Sequence, residues 1–268
     1  KYNKMKKYLV IGNPIEHSLS PMLHNYWFKQ YNIEAQYEKK QLSEKDLKNI
    51  ITDVRNDKIS GINVTVPFKK SIIPFLDKLT VEATKTQSVN TIFKVDNEIR
   101  GHNTDIGGFV HSLDQLKFKT KGKKAFILGA GGVTSSIIFA LGGLGALKIF
   151  VSNRTKKKAE ELKKLFPKIE ILDWGKKPSE FDIVVNTTSV GLKENEKIEL
   201  DFSDCKDKLF YDVIYNPSQT KFLLDAQKFK NETQNGLGMF IYQAQESFEI
   251  WHGFPSEVDE KIYTMLHK

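Results

Sequence analysis

The segment that most constrains the fold is Ala125–Ser136, which reads AFILGAGGVTSS. Its first four residues are apolar and long enough for a buried strand. Gly129, Gly131 and Gly132 follow at once, and apolar residues from Val133 onward recur at helical spacing. A strand, a glycine turn and a helix in this order are typical of a dinucleotide site, where glycines admit the pyrophosphate and the helix start offers N–H groups. The same glycines would also suit a tight turn that binds nothing.

The next strand bears on which dinucleotide would bind. Lys148–Ser152 ends about 20 residues after the glycines, where such units read the adenosine ribose. No Asp or Glu stands there to bind a 2′-hydroxyl, and the residues present are Asn153, Arg154 and Thr155. Because an arginine suits a 2′-phosphate, the sequence favours NADP over NAD.

Composition argues against a nucleic-acid partner. The chain has 268 residues, a net charge of +8 and 41 Lys and Arg residues, of which only Arg55, Arg100 and Arg154 are arginines. Scattered lysines are typical of a solvated surface, whereas nucleic-acid binding usually shows an Arg-rich stripe. We therefore expect small-molecule partners and no nucleic acid.

The cysteine count, the longest apolar run and the histidine spacing indicate the cellular compartment and whether a metal site is expected. Cys205 is the single cysteine, which excludes an internal disulfide and fits a reducing compartment. The longest apolar run, Ile137–Leu147, contains three glycines and is shorter than the ~20 residues of a membrane span. The six histidines show no metal-ligand spacing. We expect a cytoplasmic protein without a membrane partner or a metal site.

Strand and helix signals alternate along the chain, which predicts an α/β fold. Residues 5–104 are predicted to form a compact α/β domain, onto which residues 238–268 pack back. Residues 105–237 are predicted to form a doubly wound, Rossmann-like domain of parallel strands. Ser20 and Asp105 each precede a helical pattern and are candidate N-caps.

Several polar clusters could carry chemistry. Ser18 and Ser20 could bind a small anion or polyol near a helix start, and the alternative for Ser20 is the cap alone. Lys69 follows a strand that Pro67 stops, a place where most lysines are only solvated. Asn90 lies in an otherwise apolar strand and needs polar partners.

Taken together, these motifs resemble the shikimate dehydrogenase family from Val10 to about Gly253. The matching segments are GNPIEHSLSPMLHN (12–25), NVTVPFK (63–69), VNTI (89–92), GHNTD (101–105), LGAGG (128–132), NRT (153–155), NTTSVG (186–191), YDVIYNP (211–217) and NGLGM (235–239) with Gln243. The resemblance implies an N-terminal catalytic, substrate-binding α/β domain, a Rossmann-like NADP-binding domain and a cleft between them. It also implies the reversible, NADPH-dependent reduction of 3-dehydroshikimate to shikimate in aromatic amino-acid (chorismate) biosynthesis.

The resemblance also assigns residues. It makes Lys69 and Asp105 the catalytic pair. Substrate-binding roles fall on Ser18, Ser20, Thr65, Lys69, Asn90, Asp105, Tyr215 and Gln243. Cofactor-binding roles fall on Gly129, Ala130, Gly131, Gly132, Val133, Asn153, Arg154, Thr155, Lys158, Thr188, Val213, Gly236 and Met239.

Two other functions stay open at this point. A quinate/shikimate dehydrogenase of the same superfamily would use quinate, with NAD as an alternative cofactor. A catalytically silent dinucleotide-binding sensor would need neither Lys69 nor Asp105. The sequence is compatible with a monomer or a homodimer.

Overall fold

The computed structural model describes residues 4–267. The chain forms two compact units. Unit 1 consists of the residues up to Gly108 together with Ile241–Leu266, and unit 2 contains Phe109–Phe240. The boundaries predicted from the sequence, after residues 104 and 237, lie slightly earlier in the chain.

Unit 1 is built on a six-stranded mixed sheet. Its strands are β1 (Lys6–Gly12), β2 (Ala35–Gln41), β3 (Gly61–Val64), β4 (Lys78–Leu79), β5 (Thr91–Val95) and β6 (Glu98–His102). They lie in the order β2-β1-β3-β5-β6-β4. Strands β5 and β6 are antiparallel and form a hairpin. Asp96 and Asn97 between them have φ of 52° and 65°, as a type I′ turn requires.

Among the described residues, six α-helices cover this sheet in whole or in part, and the start of the first one differs from the prediction. They are α1 (Ser20–Gln30), α2 (Leu47–Arg55), α3 (Val81–Thr86), the first turn of α4 (Asp105–Gln115), most of α8 (Leu237–His252) and α9 (Glu260–Leu266). Leu19, not Ser20, is the N-cap of α1, and Ser20 is its first helical residue. The prediction that Ser20 caps this helix is therefore wrong.

Unit 2 has a sheet of six strands. They are β7 (Lys124–Leu128), β8 (Lys148–Ser152), β9 (Glu170–Leu172), β10 (Ile183–Asn186), β11 (Leu209–Asp212) and β12 (Glu232–Gln234). Their order is β12-β11-β10-β7-β8-β9, and every neighbouring pair is parallel. This is the doubly wound Rossmann order, with its reversal point between β7 and β10. The predicted α/β class and parallel sheet are confirmed.

The connecting helices of unit 2 are α5 (Thr134–Gly143), α6 (Lys156–Leu165) and α7 (Lys221–Lys228). One row of paired residues crosses the sheet where four strands end: Ser152, Leu128, Asn186 and Asp212. The residues that follow this row therefore lie along one edge, the carboxyl edge where doubly wound sheets bind ligands. Among the described residues, no helix has the length and apolar character needed to cross a bilayer.

Candidate active site

The centre of the candidate site in unit 1 is an ion pair. The Lys69 ammonium nitrogen lies 2.6 Å from Asp105 Oδ2. Only 12% of the Lys69 side chain and 9% of the Asp105 side chain are exposed. Because Coulomb attraction is stronger away from water, the two charges attract each other more strongly at this nearly closed position than they would on the open surface.

Local structure directs both side chains. Buried Phe68 anchors the segment after β3, and the Val89 N–H donates to the Lys69 carbonyl at 2.9 Å. Asp105 is the first residue of α4, and its own N–H donates to Asn103 Oδ1 at 3.0 Å. Asp105 was predicted as an N-cap, but it lies inside the helix and turns its carboxylate to Lys69.

Asn90 joins the ion pair to two other polar residues. Its amide nitrogen donates to Thr104 Oγ1 at 2.8 Å, to Asp105 Oδ1 at 3.3 Å and to Gln243 Oε1 at 3.3 Å. Its amide oxygen accepts the Thr104 N–H at 2.8 Å. The structure thus brings four predicted site residues together, namely Lys69, Asp105, Asn90 and Gln243.

A second polar layer was not predicted. Asn63 donates to the Asn90 carbonyl at 3.1 Å and to Ser247 Oγ at 3.0 Å. Ser247 is fully buried and its hydroxyl donates to the Gln243 carbonyl at 3.1 Å. Tyr37 donates to Asn63 Oδ1 at 2.7 Å. The only sequence signal for this layer is that Ser247 lies four residues after Gln243, which places both on one face of α8.

The remaining predicted substrate residues occupy different places. The Ser20 N–H donates to Ser18 Oγ at 3.3 Å at the start of α1. Thr65 directly follows β3, and its N–H donates to the Ile11 carbonyl of β1 at 2.9 Å. Tyr215 belongs to unit 2, where its ring centroid lies 4.8 Å from that of Phe240. Burial raises the pKa of Tyr215 to about 12, so its phenol stays protonated well above neutral pH.

The glycine turn of unit 2 lies at the carboxyl edge of β7. Gly129 has φ of 116°, and a Cβ there would overlap the Thr187 hydroxyl, so the fold itself requires this glycine. Gly131 differs: an added Cβ would meet no atom within 4 Å. The fold does not need a glycine at Gly131, but a ligand approaching the backbone would. Exposed Gly131 and Gly132 lead into α5, whose N-terminus attracts anions, so these residues fit a pyrophosphate.

Most of the predicted cofactor residues after β8 are exposed to solvent. Arg154, Thr155 and Lys158 are exposed, and Thr155 is the N-cap of α6. Asn153 donates to the Thr155 carbonyl at 2.9 Å. Two cations beside a helix N-terminus suit a phosphate group.

The other predicted cofactor residues follow β10, β11 and β12. The Thr188 hydroxyl donates to Asn186 Oδ1 at 2.7 Å. A Cβ at Gly236 would overlap the Val213 carbonyl, which explains the glycine there. Met239 is buried in α8. Among residues 4–267, no group of three or more His, Cys, Asp or Glu is arranged to hold a metal ion.

Comparisons with known proteins agree with this arrangement. A model of the shikimate dehydrogenase substrate-binding domain matches residues 10–92, one of shikimate/quinate 5-dehydrogenase matches 112–214, and one of the shikimate 5′-dehydrogenase C-terminal domain matches 236–260. A shikimate dehydrogenase (NADP(+)) from Pelagibacter ubique is 56% identical over 262 residues, which are 97% of this chain and 98% of that protein.

Solved structures give the same result. A shikimate dehydrogenase from Aquifex aeolicus has a TM-score of 0.90 at 35% identity, with 100% of both chains covered. A shikimate 5-dehydrogenase from Thermus thermophilus, solved with NADP(H) and shikimate, has a TM-score of 0.88 at 30% identity, with 98% of this chain and 100% of that chain covered. The chain belongs to the shikimate dehydrogenase family and is an NADP-dependent oxidoreductase that acts on a CH–OH group.

Proposed function

We propose that Lys69 and Asp105 carry the proton transfer when this chain reduces 3-dehydroshikimate to shikimate with NADPH. The observation that supports this most is the 2.6 Å contact between the Lys69 ammonium and Asp105, at a position that is almost closed to water. A paired, poorly hydrated ammonium is both a proton donor and a fixed positive charge.

The chemistry needs such a group because a ketone oxygen gains negative charge as its carbon becomes tetrahedral. NADPH, when bound, supplies the hydride that forms the new C–H bond. Lys69 attracts the developing alkoxide and gives it a proton, which completes the hydroxyl group. Asp105 fixes the direction of the Lys69 ammonium, because its carboxylate accepts a hydrogen bond from that nitrogen at 2.6 Å. Such proton donors typically contribute about 10²–10⁴-fold in rate.

The substrate is a carboxylate with several hydroxyl groups, and the assigned ligands match it chemically. Ser18, Ser20 and Thr65 offer hydroxyls, and Asn90 and Gln243 offer amides. Tyr215 adds a protonated phenol. Sites built to bond hydroxyls reject analogues that lack them, because buried polar groups would be left unpaired.

For the cofactor, we assign the pyrophosphate to Gly129–Val133 and the start of α5. We assign binding of the adenosine and its 2′-phosphate to Asn153, Arg154, Thr155 and Lys158. We assign binding of the nicotinamide side to Thr188, Val213, Gly236 and Met239. The open space at Gly131 supports the first assignment, and the exposed cations after β8 support the second.

We place the reaction in the cytoplasm, where the single Cys205 would stay reduced, and propose a monomer or homodimer that acts on small molecules.

One absorbance assay at the nicotinamide band tests the assignment. Shikimate and quinate are each oxidised with NADP⁺ and with NAD⁺, and kcat/KM is compared among the four combinations. We expect the pair of shikimate and NADP⁺ to exceed the others by at least about tenfold, since one charge-assisted contact is worth that much. A higher kcat/KM with quinate or with NAD⁺ would assign the chain to the quinate/shikimate alternative, and no turnover at all would favour the silent sensor.

A further inference from the structure

Arg154 has an aromatic neighbour that no motif predicted. The guanidinium carbon of Arg154 lies 6.0 Å from the centre of the Trp174 ring. Arg154 is exposed, whereas Trp174 is half-buried. This distance is within the range in which a cation is attracted to the face of an indole.

Trp174 is fixed both by packing of its side chain and by a hydrogen bond to the backbone of the preceding residue. It packs against the buried core of unit 2 that includes Phe181 and Phe210. The residue before it, Asp173, accepts a hydrogen bond on its carbonyl from Ser152 Oγ at 3.3 Å. Ser152 ends β8 and pairs with Leu172 of β9, so Trp174 is fixed close to the Asn153–Thr155 segment.

The nearby acidic side chain already has a partner. Asp173 Oδ1 accepts from the Lys156 ammonium at 3.0 Å. A carboxylate would occupy the N–H groups of Arg154, the same groups that bind a phosphate in two-pronged contacts. An aromatic ring attracts the cation through its π-electrons and leaves those N–H groups free. Trp174 can therefore order the arginine without blocking it.

We propose that Trp174 is a positioning residue for cofactor choice: it holds the Arg154 guanidinium ready for the 2′-phosphate of NADPH and so strengthens the preference over NADH. This inference rests on the proposed role of Arg154. A long exposed arginine loses rotamer freedom when it binds, and a partner that already restricts it lowers that cost.

The first test is a double-mutant cycle read as the ratio of Kd for NADH to Kd for NADPH. Trp174→Leu keeps apolar bulk against the core but removes the π face, and we expect the ratio to fall about two- to fivefold. In the Arg154→Ala background, the same Trp174→Leu change should leave the ratio unchanged. Trp174→Phe keeps an aromatic face and should restore most of the loss.

The outcomes separate two kinds of failure. If Arg154→Ala does not change the ratio, the role of Arg154 is wrong. If Arg154→Ala lowers the ratio but Trp174→Leu does not, only the inference on Trp174 fails. Two results would refute the positioning role and indicate that the indole contacts the adenosine directly. One is that Trp174→Leu weakens the binding of NADPH and of NADH equally. The other is that Trp174→Leu changes the ratio by the same factor in the Arg154→Ala background.

Tryptophan fluorescence gives an independent readout without turnover. Trp27 and Trp251 belong to unit 1, so Trp174 is the indole of unit 2. Adenosine 2′,5′-bisphosphate at saturation should change the emission of the unaltered protein, and adenosine 5′-monophosphate should change it much less. The bisphosphate signal should be absent in Trp174→Phe, which is conservative enough to fold. An equal signal in both proteins would show that Trp174 does not sense the 2′-phosphate and would overturn the inference.

Discussion

Lys69 and Asp105 are 36 residues apart in the chain, yet their charged atoms lie 2.6 Å apart in unit 1. The turn after β3 supplies the cation and the first residue of α4 supplies the anion. Removing one partner of a buried pair leaves an unpaired charge, which costs about 3–5 kcal/mol. Each member of the pair therefore depends on the other for a hydrogen-bond partner and for its direction.

The role of Asp105 predicts the effect of Asp105→Asn. The amide has the size of the carboxylate but does not hold the Lys69 ammonium by charge. We expect kcat to fall by about 10²-fold, with a smaller change in KM for shikimate. Steady-state kinetics of Asp105→Asn measure this, and Asp114→Asn, an exposed residue of the same helix, is the matched control. Similar losses in both variants would argue against the assignment.

The role of Arg154 predicts a change in cofactor preference. Arg154→Ala should raise the Kd for NADPH about 10- to 100-fold, because a charged contact of roughly 1.5–3 kcal/mol is lost. NADH, which has no 2′-phosphate, should bind almost as before. Titration calorimetry with both cofactors tests this, and Lys164→Ala, at the exposed far end of α6, should change neither Kd. Equal losses for NADPH and NADH would remove Arg154 from the 2′-phosphate site.

The open space at Gly131 predicts a loss of binding without a loss of stability. Gly131→Ala adds a methyl group that meets no protein atom but would meet the pyrophosphate. We expect Kd to rise roughly tenfold, or ~1.4 kcal/mol, for both cofactors, with an unchanged free energy of unfolding. Gly142→Ala in α5 also points into open space and should instead stabilise by about 0.5 kcal/mol without changing Kd. Unchanged cofactor binding in Gly131→Ala would contradict the pyrophosphate assignment.

Two buried histidines predict how stability depends on pH. Burial lowers the pKa of His24 to about 3 and that of His252 to about 4, with smaller contributions from His252 to the first and from Lys6 to the second. Below a pH of about 6.5 the unfolded chain binds protons that the folded chain does not, so stability falls as the pH drops from there. Each histidine contributes a slope of up to about 1.4 kcal/mol per pH unit.

Asp212 opposes this effect over part of the same range. Burial raises its pKa to about 6, although Thr220, Ile214 and Asn186 donate hydrogen bonds that lower it. Its contribution therefore decreases as the pH rises from about 4 to about 6, which offsets one of the two histidines. The net stability should still rise with pH in this range.

Urea unfolding between about pH 4.5 and 6.5 measures this slope. His24→Phe should flatten it, since within the described residues neither ring nitrogen of His24 has a hydrogen-bond partner to lose. His17→Asn, at a side chain that is 90% exposed, should keep the slope of the unaltered protein. A His24→Phe slope equal to that of the unaltered protein would refute the buried, neutral state of His24.

Features with short-range signals were predictable from the sequence. Local signals predicted the strand, glycine turn and helix around Gly129 and the strand Lys148–Ser152. The short edge strand β12 was missed because Glu232–Gln234 has no apolar run. Ser20 carried a cap signal, but the helix begins one residue earlier.

The contacts that complete the site are long-range and leave little trace in the sequence. Ser247 reaches Asn63 across 184 positions, and Trp174 lies beside Arg154 only because β9 pairs with β8. No local signal separates Lys69 from a surface lysine, and only the set of family motifs marks it as a site residue. Side-chain pairing of this kind depends on sheet order, which spacing along the chain does not reveal.

The most direct measurement is the turnover number of Lys69→Ala with saturating shikimate and NADP⁺, beside that of Lys70→Ala at the exposed neighbouring lysine. We predict that kcat of Lys69→Ala falls by at least about 10²-fold while the Kd for shikimate changes less, and that Lys70→Ala behaves like the unaltered protein. A Lys69→Ala turnover within a few-fold of the unaltered value would contradict the account.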